Sequence, residues 1–342
     1  MAGTRPRRCT NAPAYGHAAG GPATVKLALL VCGALFAVVS GVNDGGALVA
    51  LGLKVPGTRP IVAIAVLAVA VVASPLLFGT AVATTIARKL VPFHGPDGRT
   101  AALLGIVACL AVITVLARLR LPTSLTLATV GGLIGAGIGF GFRASWSTIG
   151  VVLAVGVLAP VVGGCVASLV ATSLRVLSVP VSGRTVRRTH YVAFALESLA
   201  YGANDAQRML AVFAIAAAAA TTTRVEAHAW ELATIFVCFA AGAIAGMYRY
   251  ARTFGSDLVP ARPHHTPVAE LAAAGASFGG MAVGSPLSIT QSASAGLIGA
   301  AGPEHWRQVR WRRAARLALA WVLTVPSAFA LGLVLGLAGS WL

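Results

Sequence analysis

Long apolar runs separated by short polar punctuation dominate the chain. Residues 25–53, 61–87, 147–174, 191–220, 229–248 and 314–342 form such runs, and 101–117 is a shorter one of the same kind. Each longer run supplies the roughly 20 mostly apolar residues that a transmembrane helix needs. In lipid the backbone must satisfy its own hydrogen bonds, and a barrel would show alternating polarity instead. The pattern therefore predicts an all-α integral membrane protein, a polytopic helical bundle.

Two of the runs are interrupted in the same way. The string "SGVNDGGALVA" lies at 40–50 and "YGANDAQRM" at 201–209, so Asn43–Asp44 and Asn204–Asp205 stand 161 residues apart (204 − 43). A second pair of strings, "LPTSLTLATVGGLIGAG" (121–137) and "SPLSITQSASAGLIGAA" (285–301), places Ser124 and Ser288 164 apart (288 − 124). A weaker third pair is "VLAP" (157–160) and "VLTVP" (322–326). Three matches in one order at nearly one offset predict two homologous repeats. We divide the chain into a polar tail (1–24), an N-terminal repeat (25–174), a basic linker (175–190) and a C-terminal repeat (191–342). Each repeat holds a helix broken at Gly-x-Asn-Asp, two apolar segments, a Pro/Gly/Ser/Thr-rich stretch and a long helix with an internal proline. The fourth part reads as a re-entrant hairpin with an exposed Ser/Thr turn, which membrane depth tolerates only beside protein or water. Its plainer alternative is one weak span packed through small residues such as "GAGIGFG" (135–141).

Broken helices and hairpins at matching positions point to a transporter with internal repeats. Inverted repeats require an odd number of crossings per half. Four spans and a hairpin give an even number unless one long segment is two or the hairpin crosses. The basic loop with Arg307, Arg310, Arg312, Arg313 and Arg316 faces only Arg143 in the first half, which suits inversion. The basic tail argues the other way.

Composition sharpens this picture. The chain of 342 residues is 57% hydrophobic and 10% charged, with mean hydropathy +0.84, against about 25% charged in soluble domains. Its net charge of +17 is spread over short loops, and of 26 basic residues only Arg208 falls well inside a predicted span. That is a positive-inside bias, which also favours anions near the mouths, and not a nucleic-acid surface. The five cysteines lack CxxC spacing and read as reduced packing residues, with no disulfide or metal framework. The histidines read as loop or span-end residues, and His264–His265 as a solvated pair. Arg7–Arg8 lies about fifteen polar residues before the first apolar run, which speaks against a twin-arginine signal. That run carries the "VND" motif, which speaks against a cleaved signal peptide.

An ionised aspartate at mid-membrane costs about 2.5–3.5 kcal/mol on insertion scales, so it persists when paired, cation-bound or facing water. The glycine before each Asn-Asp would let the helix unwind and free backbone groups. Carboxylate, amide and backbone carbonyl oxygens suit a hard cation such as Na⁺, while a carboxylate alone could carry H⁺. Freed N–H groups and hairpin hydroxyls suit an anion. Arg208, three residues after Asp205, reads as a counter-charge to an anionic substrate, as a neutraliser of Asp205, or as snorkelling to the interface. Glu197, two turns before Asn204, lines the path or bonds a neighbour, the second being the simpler reading. Glu270 joins the site or caps its helix.

These motifs resemble the inorganic phosphate transporter (PiT) family, which includes related sulfate permeases. "YGANDAQRM" is similar to the family's C-terminal motif, and "GVNDGGALVALG" to a weaker N-terminal version. "FGSDLVPARP…AELAAAGASFGG" and "VRWRRAARLALAWVLTVPSA" are similar to its closing region, so the resemblance runs from about residue 25 to the C-terminus. It implies import of inorganic phosphate by alternating access, coupled to Na⁺ or H⁺, in the plasma membrane. It implies no enzymatic activity, no resident cofactor and no nucleic-acid partner, with the lipid bilayer as surroundings and a homodimer as a compatible assembly. By resemblance, Asn43, Asp44, Asn204 and Asp205 hold substrate and a Na⁺ site. Gln207, Arg208, Ser124, Thr126, Ser288 and Thr290 join the substrate. The chain departs from the family pattern at Ala47, at Leu125 and Ile289 in the hairpins, and at Leu127 and Gln291, leaving fewer oxygen ligands. A sulfate permease is the alternative within the family. A passive anion channel or a transport-inactive scaffold is the alternative outside it.

Overall fold

A computed structural model describes residues 22–119, 123–178, 182–217, 224–251 and 258–341. Most of the polar tail, the first two residues of the "LPTSLT" string and the start of "FGSDLVPARP" lie outside them. The described residues form α1 (Pro22–Ser40), α2 (Gly46–Gly52), α3 (Pro60–Phe78), α4 (Ala81–Thr84), α5 (Gly95–Arg118), α6 (Leu125–Gly139) and α7 (Trp146–Val176). After these come α8 (Gly183–Ala203), α9 (Gln207–Ala217), α10 (Ala229–Ala251), α11 (His265–Ala282), α12 (Ile289–His305) and α13 (Trp311–Ser340). Among the described residues six helical stretches are long and apolar enough to cross a membrane, including 23–52, 146–176 and 311–340. Their outward faces are greasy: Val157, Leu169 and Val322 are each about two-thirds exposed. Such faces are stable when the solvent is hydrocarbon. The protein is a multi-pass membrane protein.

Two of the expected spans are subdivided. The run 61–87 ends as a helix at Phe78, where Gly79 takes φ 76°, a conformation open to glycine. The chain then turns inward through α4 and a π turn, Thr85–Lys89, burying Val82, Ala83 and Ile86. The run 191–220 is divided at Asn204 into α8 and α9. Much of the basic stretch 175–190 is helical, because α7 runs to Val176 and α8 starts at Gly183.

Each Asn-Asp motif sits on a widened turn. In the first, the Gly46 amide reaches back five residues to the Gly41 carbonyl, a π turn that keeps α1 and α2 in one continuous rod. In the second, the Ala206 amide reaches back five residues to Tyr201, and the helix breaks. Such one-turn irregularities gather at functional sites. The glycines of these motifs stand at the widened turn and just before the break, and they also permit close contact. A Cβ on Gly41 would stand 2.2 Å from the Phe239 carbonyl oxygen on α10, and one on Gly202 would stand 2.4 Å from the Ala70 oxygen on α3.

The Pro-Ser-Thr strings are turns between helices, not whole hairpins. The flanking helices are α5 with α6 and α11 with α12, and α5, which contains the run 101–117, is itself long and apolar enough to cross a membrane. The turns are also buried instead of exposed: Ser124 and Thr126 are at most 1% accessible, and Ser288 and Thr290 at most 9%. The long proline-containing helices enclose the hairpins of the opposite half. α13 packs on α5 and α6, and α7 packs on α11 and α12. Small residues allow this closeness: Gly135 on α6 would place a Cβ 2.1 Å from the Phe329 oxygen on α13.

Candidate functional site

The two widened turns and the two buried hairpin turns converge. Arg208, at the start of α9, is 1% exposed and lies between the motifs. Its Nη2 donates to Asp44 Oδ2 at 2.7 Å, and its Nη1 faces Asp205 Oδ1 at 3.2 Å. The same Nη1 donates to Thr126 Oγ1 of the first hairpin. Thr126 Oγ1 in turn donates to the Leu287 carbonyl of the second hairpin at 3.0 Å. Asn43 Nδ2 donates to Asp44 Oδ1 at 2.8 Å, and Thr123 Oγ1 donates to Asn43 Oδ1 at 3.4 Å. One guanidinium thus joins carboxylates from both halves and a hydroxyl from the first hairpin. It does not snorkel. With both aspartates ionised, two negative charges meet one positive charge, which leaves room for a cation.

Asn204 and Asp205 also hold the second hairpin. Asn204 Oδ1 accepts from the Leu287 amide at 2.9 Å, and its Nδ2 donates to the Ser285 carbonyl at 3.0 Å. Asp205 Oδ2 accepts from the Ile289 amide at 3.0 Å, at the first residue of α12. A helix N-terminus carries unpaired N–H groups and positive dipole density, so it favours an anion. The free donors expected at the broken helix are therefore supplied by α12, and a carboxylate already occupies one of them. Ser288, the residue before α12, pairs its hydroxyl with Thr290 at 3.0 Å. Ser124 caps α6, its Oγ accepting from the Leu127 amide at 3.4 Å.

Gln207 is drawn away from this group. Its Oε1 accepts from the Ala83 amide, and its Nε2 donates to the carbonyls of Gly79 and Ala203. It braces the break after α3, because the turn at Gly79 leaves backbone groups that a buried amide can satisfy. Three polar residues outside the sequence assignment belong to the neighbourhood. Tyr201 directs its hydroxyl to Asp44 Oδ2 at 3.5 Å, and Thr123 reaches Asn43. Gln291, in the first turn of α12, has a buried Nε2 with no hydrogen-bond partner among the described residues. Tyr201 opens the quoted "YGAND" string and Gln291 stands in the hairpin string, so a polar residue inside a motif was the available signal.

The remaining polar residues fall elsewhere. Glu197, Glu270 and His190 are buried together between α8 and α11, so His190 is neither in a loop nor at a span end. The His264–His265 pair is only half solvated: His265 is 1% exposed. His264, His265 and Glu304 bring ligand-type atoms within 4.8 Å of one another. His265 Nδ1, however, accepts from the Arg262 amide, so in the neutral ring the proton sits on Nε2, the atom facing Glu304. Arg262 also pairs with Glu304 at 3.2 Å. That arrangement is an ion-pair network joining the start of α11 to the end of α12, in which His265 Nε2 faces Glu304 without a hydrogen bond. The four described cysteines are free.

A family model described as the phosphate transporter family matches residues 40–332. A Mycobacterium tuberculosis protein named "Probable low-affinity inorganic phosphate transporter" is 32% identical, over 90% of this chain and 77% of that protein. A Bacillus subtilis protein of the same name is 25% identical, over 91% of this chain and 96% of its own length. Among solved structures, one titled "The sodium-dependent phosphate transporter" superposes with TM-score 0.80 at 16% identity, covering 92% of this chain and 98% of that one. At that identity the likeness speaks for the fold.

Proposed function

The chain belongs to the phosphate transporter family, and from that premise we infer that it carries inorganic phosphate into the cell as a secondary transporter coupled to Na⁺ or H⁺. The observation that carries this reading is the buried clasp of Arg208 on Asp44 and Asp205, set against the turns of both hairpins. Phosphate would displace carboxylate oxygens from Arg208 and from the α12 N-terminus. Ser124, Thr126, Ser288 and Thr290 would donate to its oxygens, and the unpartnered Gln291 amide offers a further donor. Displaced aspartates need a positive partner. A cation held by Asp44, Asp205, Asn43 and Asn204 supplies one, so anion and cation bind together. That mutual requirement is the physical basis of symport.

Alternating access then follows from the halves moving against each other. The reciprocal packing of α7 on the second hairpin and α13 on the first supports two inverted repeats, 25–174 and 191–342. No bond is made or broken in the cargo, and the chain is not an enzyme.

The test is labelled phosphate uptake into proteoliposomes, under a Na⁺ gradient and then a pH gradient, repeated with Asp44→Asn and Asp205→Asn. Gradient-driven accumulation in the wild type, lost in both variants, is the expected result. Uptake that never exceeds equilibrium would instead identify a passive pathway. Sulfate replacing phosphate as the accumulated ion would reassign the substrate.

A further inference from the structure

Away from the Arg208 clasp, α8 and α11 bury a second pair of acids. Glu197 and Glu270 are 1% and 0% exposed and near enough to repel each other electrostatically. Neither Glu197 carboxylate oxygen has a hydrogen-bond partner among the described residues, and neither does Glu270 Oε1. Glu270 Oε2 meets His190 Nδ1 at 2.9 Å, while His190 Nε2 is itself without a partner. A carboxylate with no partner, beside a second one held only by an imidazole, cannot be ionised together with it in a dry interior without a further positive charge.

Among the described residues no fixed positive charge pairs with either acid: Lys54, two residues after the Gly52 that packs on the His190 ring, has a buried Nζ but forms no ion pair with them. α3, packed along α8, has no titratable side chain. α7, packed on α11, has Cys165 and Arg175, and the latter donates to the Pro303 carbonyl. On α12, Glu304 and His305 meet each other beside His264 and His265. On α8 itself Tyr201 is turned to Asp44, and Arg184, Arg187 and Arg188 are exposed. The missing charge is therefore exchangeable. A hard metal cation wants about six oxygen ligands. Here α8 and α11 run unbroken past the pair, so their carbonyls are committed to helix bonds. A metal ion would have to draw on the unpartnered Ser198 Oγ and Thr266 Oγ1 as well as the carboxylates, whereas a proton needs only one oxygen.

We propose that Glu197 and Glu270 share one exchangeable proton that is carried together with the phosphate, at a site separate from the cation site of the Asn-Asp motifs, a proposal that rests on the phosphate reading above. The proton enters from the side where phosphate binds, is held as a carboxylic O–H, and leaves on the other side. No other bond changes. The pair is joined to the substrate region through α8, which ends at Asn204, and through Ser277 of α11, which donates to the Ala200 carbonyl at 3.0 Å. A change of charge between these helices therefore acts on the Asn204 turn and on the hairpin it holds.

Infrared spectroscopy of the whole protein in nanodiscs reads the pair directly. At neutral pH a buried carboxylic C=O stretch is expected, lost in both Glu197→Gln and Glu270→Gln. In proteoliposomes the same variants should lose accumulation driven by a pH gradient, and Glu197→Asp, which keeps the ionisable group, should restore part of it. A spectrum with both acids ionised throughout the neutral range overturns the proposal. So does pH-driven accumulation that survives in both variants, or wild-type accumulation that follows Na⁺ and ignores pH. Absence of phosphate counterflow in the wild type sinks the phosphate reading instead, and the infrared band still decides whether the pair holds a proton.

Discussion

Arg208 shows how much a single side chain can join. Its two terminal nitrogens contact a carboxylate from each widened turn and the hydroxyl of Thr126. This uses the planar fork of guanidinium, which a lysine ammonium cannot reproduce. Arg208→Lys should keep the charge but lose one of the two aspartates, and breaking a buried pair costs about 3–5 kcal/mol. Phosphate uptake is therefore expected to fall by at least about tenfold while the protein still reaches the membrane, read by uptake normalised to purified protein. Uptake close to wild type would mean that the bridging geometry is dispensable. That Arg208 is polar within a greasy run was visible in the string "YGANDAQRM". Its choice of Asp44 was not, because those residues lie 164 positions apart (208 − 44) and only folding makes them neighbours.

At the scale of elements, the helices are governed by how closely they approach. The glycines of the Asn-Asp motifs lie at the irregular turns and also face a neighbouring backbone. Gly202→Val would force atoms against the Ala70 oxygen and Ser74 Oγ, each 2.4 Å from the added Cβ. Overpacking of this kind costs about 1–3 kcal/mol, so a lower melting temperature and less monodisperse protein are expected. Gly150 on α7 is the contrast, since a Cβ there would meet nothing within 4 Å. Gly150→Ala should raise stability by about 0.5–1 kcal/mol, because alanine suits a helix interior better than glycine. If thermal unfolding ranks the two variants the other way, close packing is not what Gly202 provides. The hairpins teach a related point. Their Ser/Thr turns are polar and so looked exposed, but α7 and α13 cover them and their hydroxyls bond within the protein.

Across the whole molecule, the central polar groups are closed off: Asp44, Arg208 and Ser288 are at most 4% accessible. A transporter in this form must open before cargo can enter. In a cysteine-free background, Ser288→Cys should react with a membrane-impermeant thiol reagent, with its rate altered by phosphate and by the driving gradient. A cysteine that never reacts under any condition would point to a rigid scaffold and away from alternating access.

The apolar runs and the paired Asn-Asp and Pro-Ser-Thr strings were enough to determine an all-helical membrane protein and the kind of residues at its centre. Burial in lipid leaves few backbone solutions, and a charge inside a span is too costly to be incidental. Partner choice was decided by tertiary structure alone. It turned Gln207 to the bend at Gly79, set Asn204 and Asp205 against the amides of Leu287 and Ile289, and drew His190 into contact with Glu270. Each of these contacts joins positions far apart in the chain. Hydrophobic periodicity records which face of a helix is buried; it carries no record of what lies across from it.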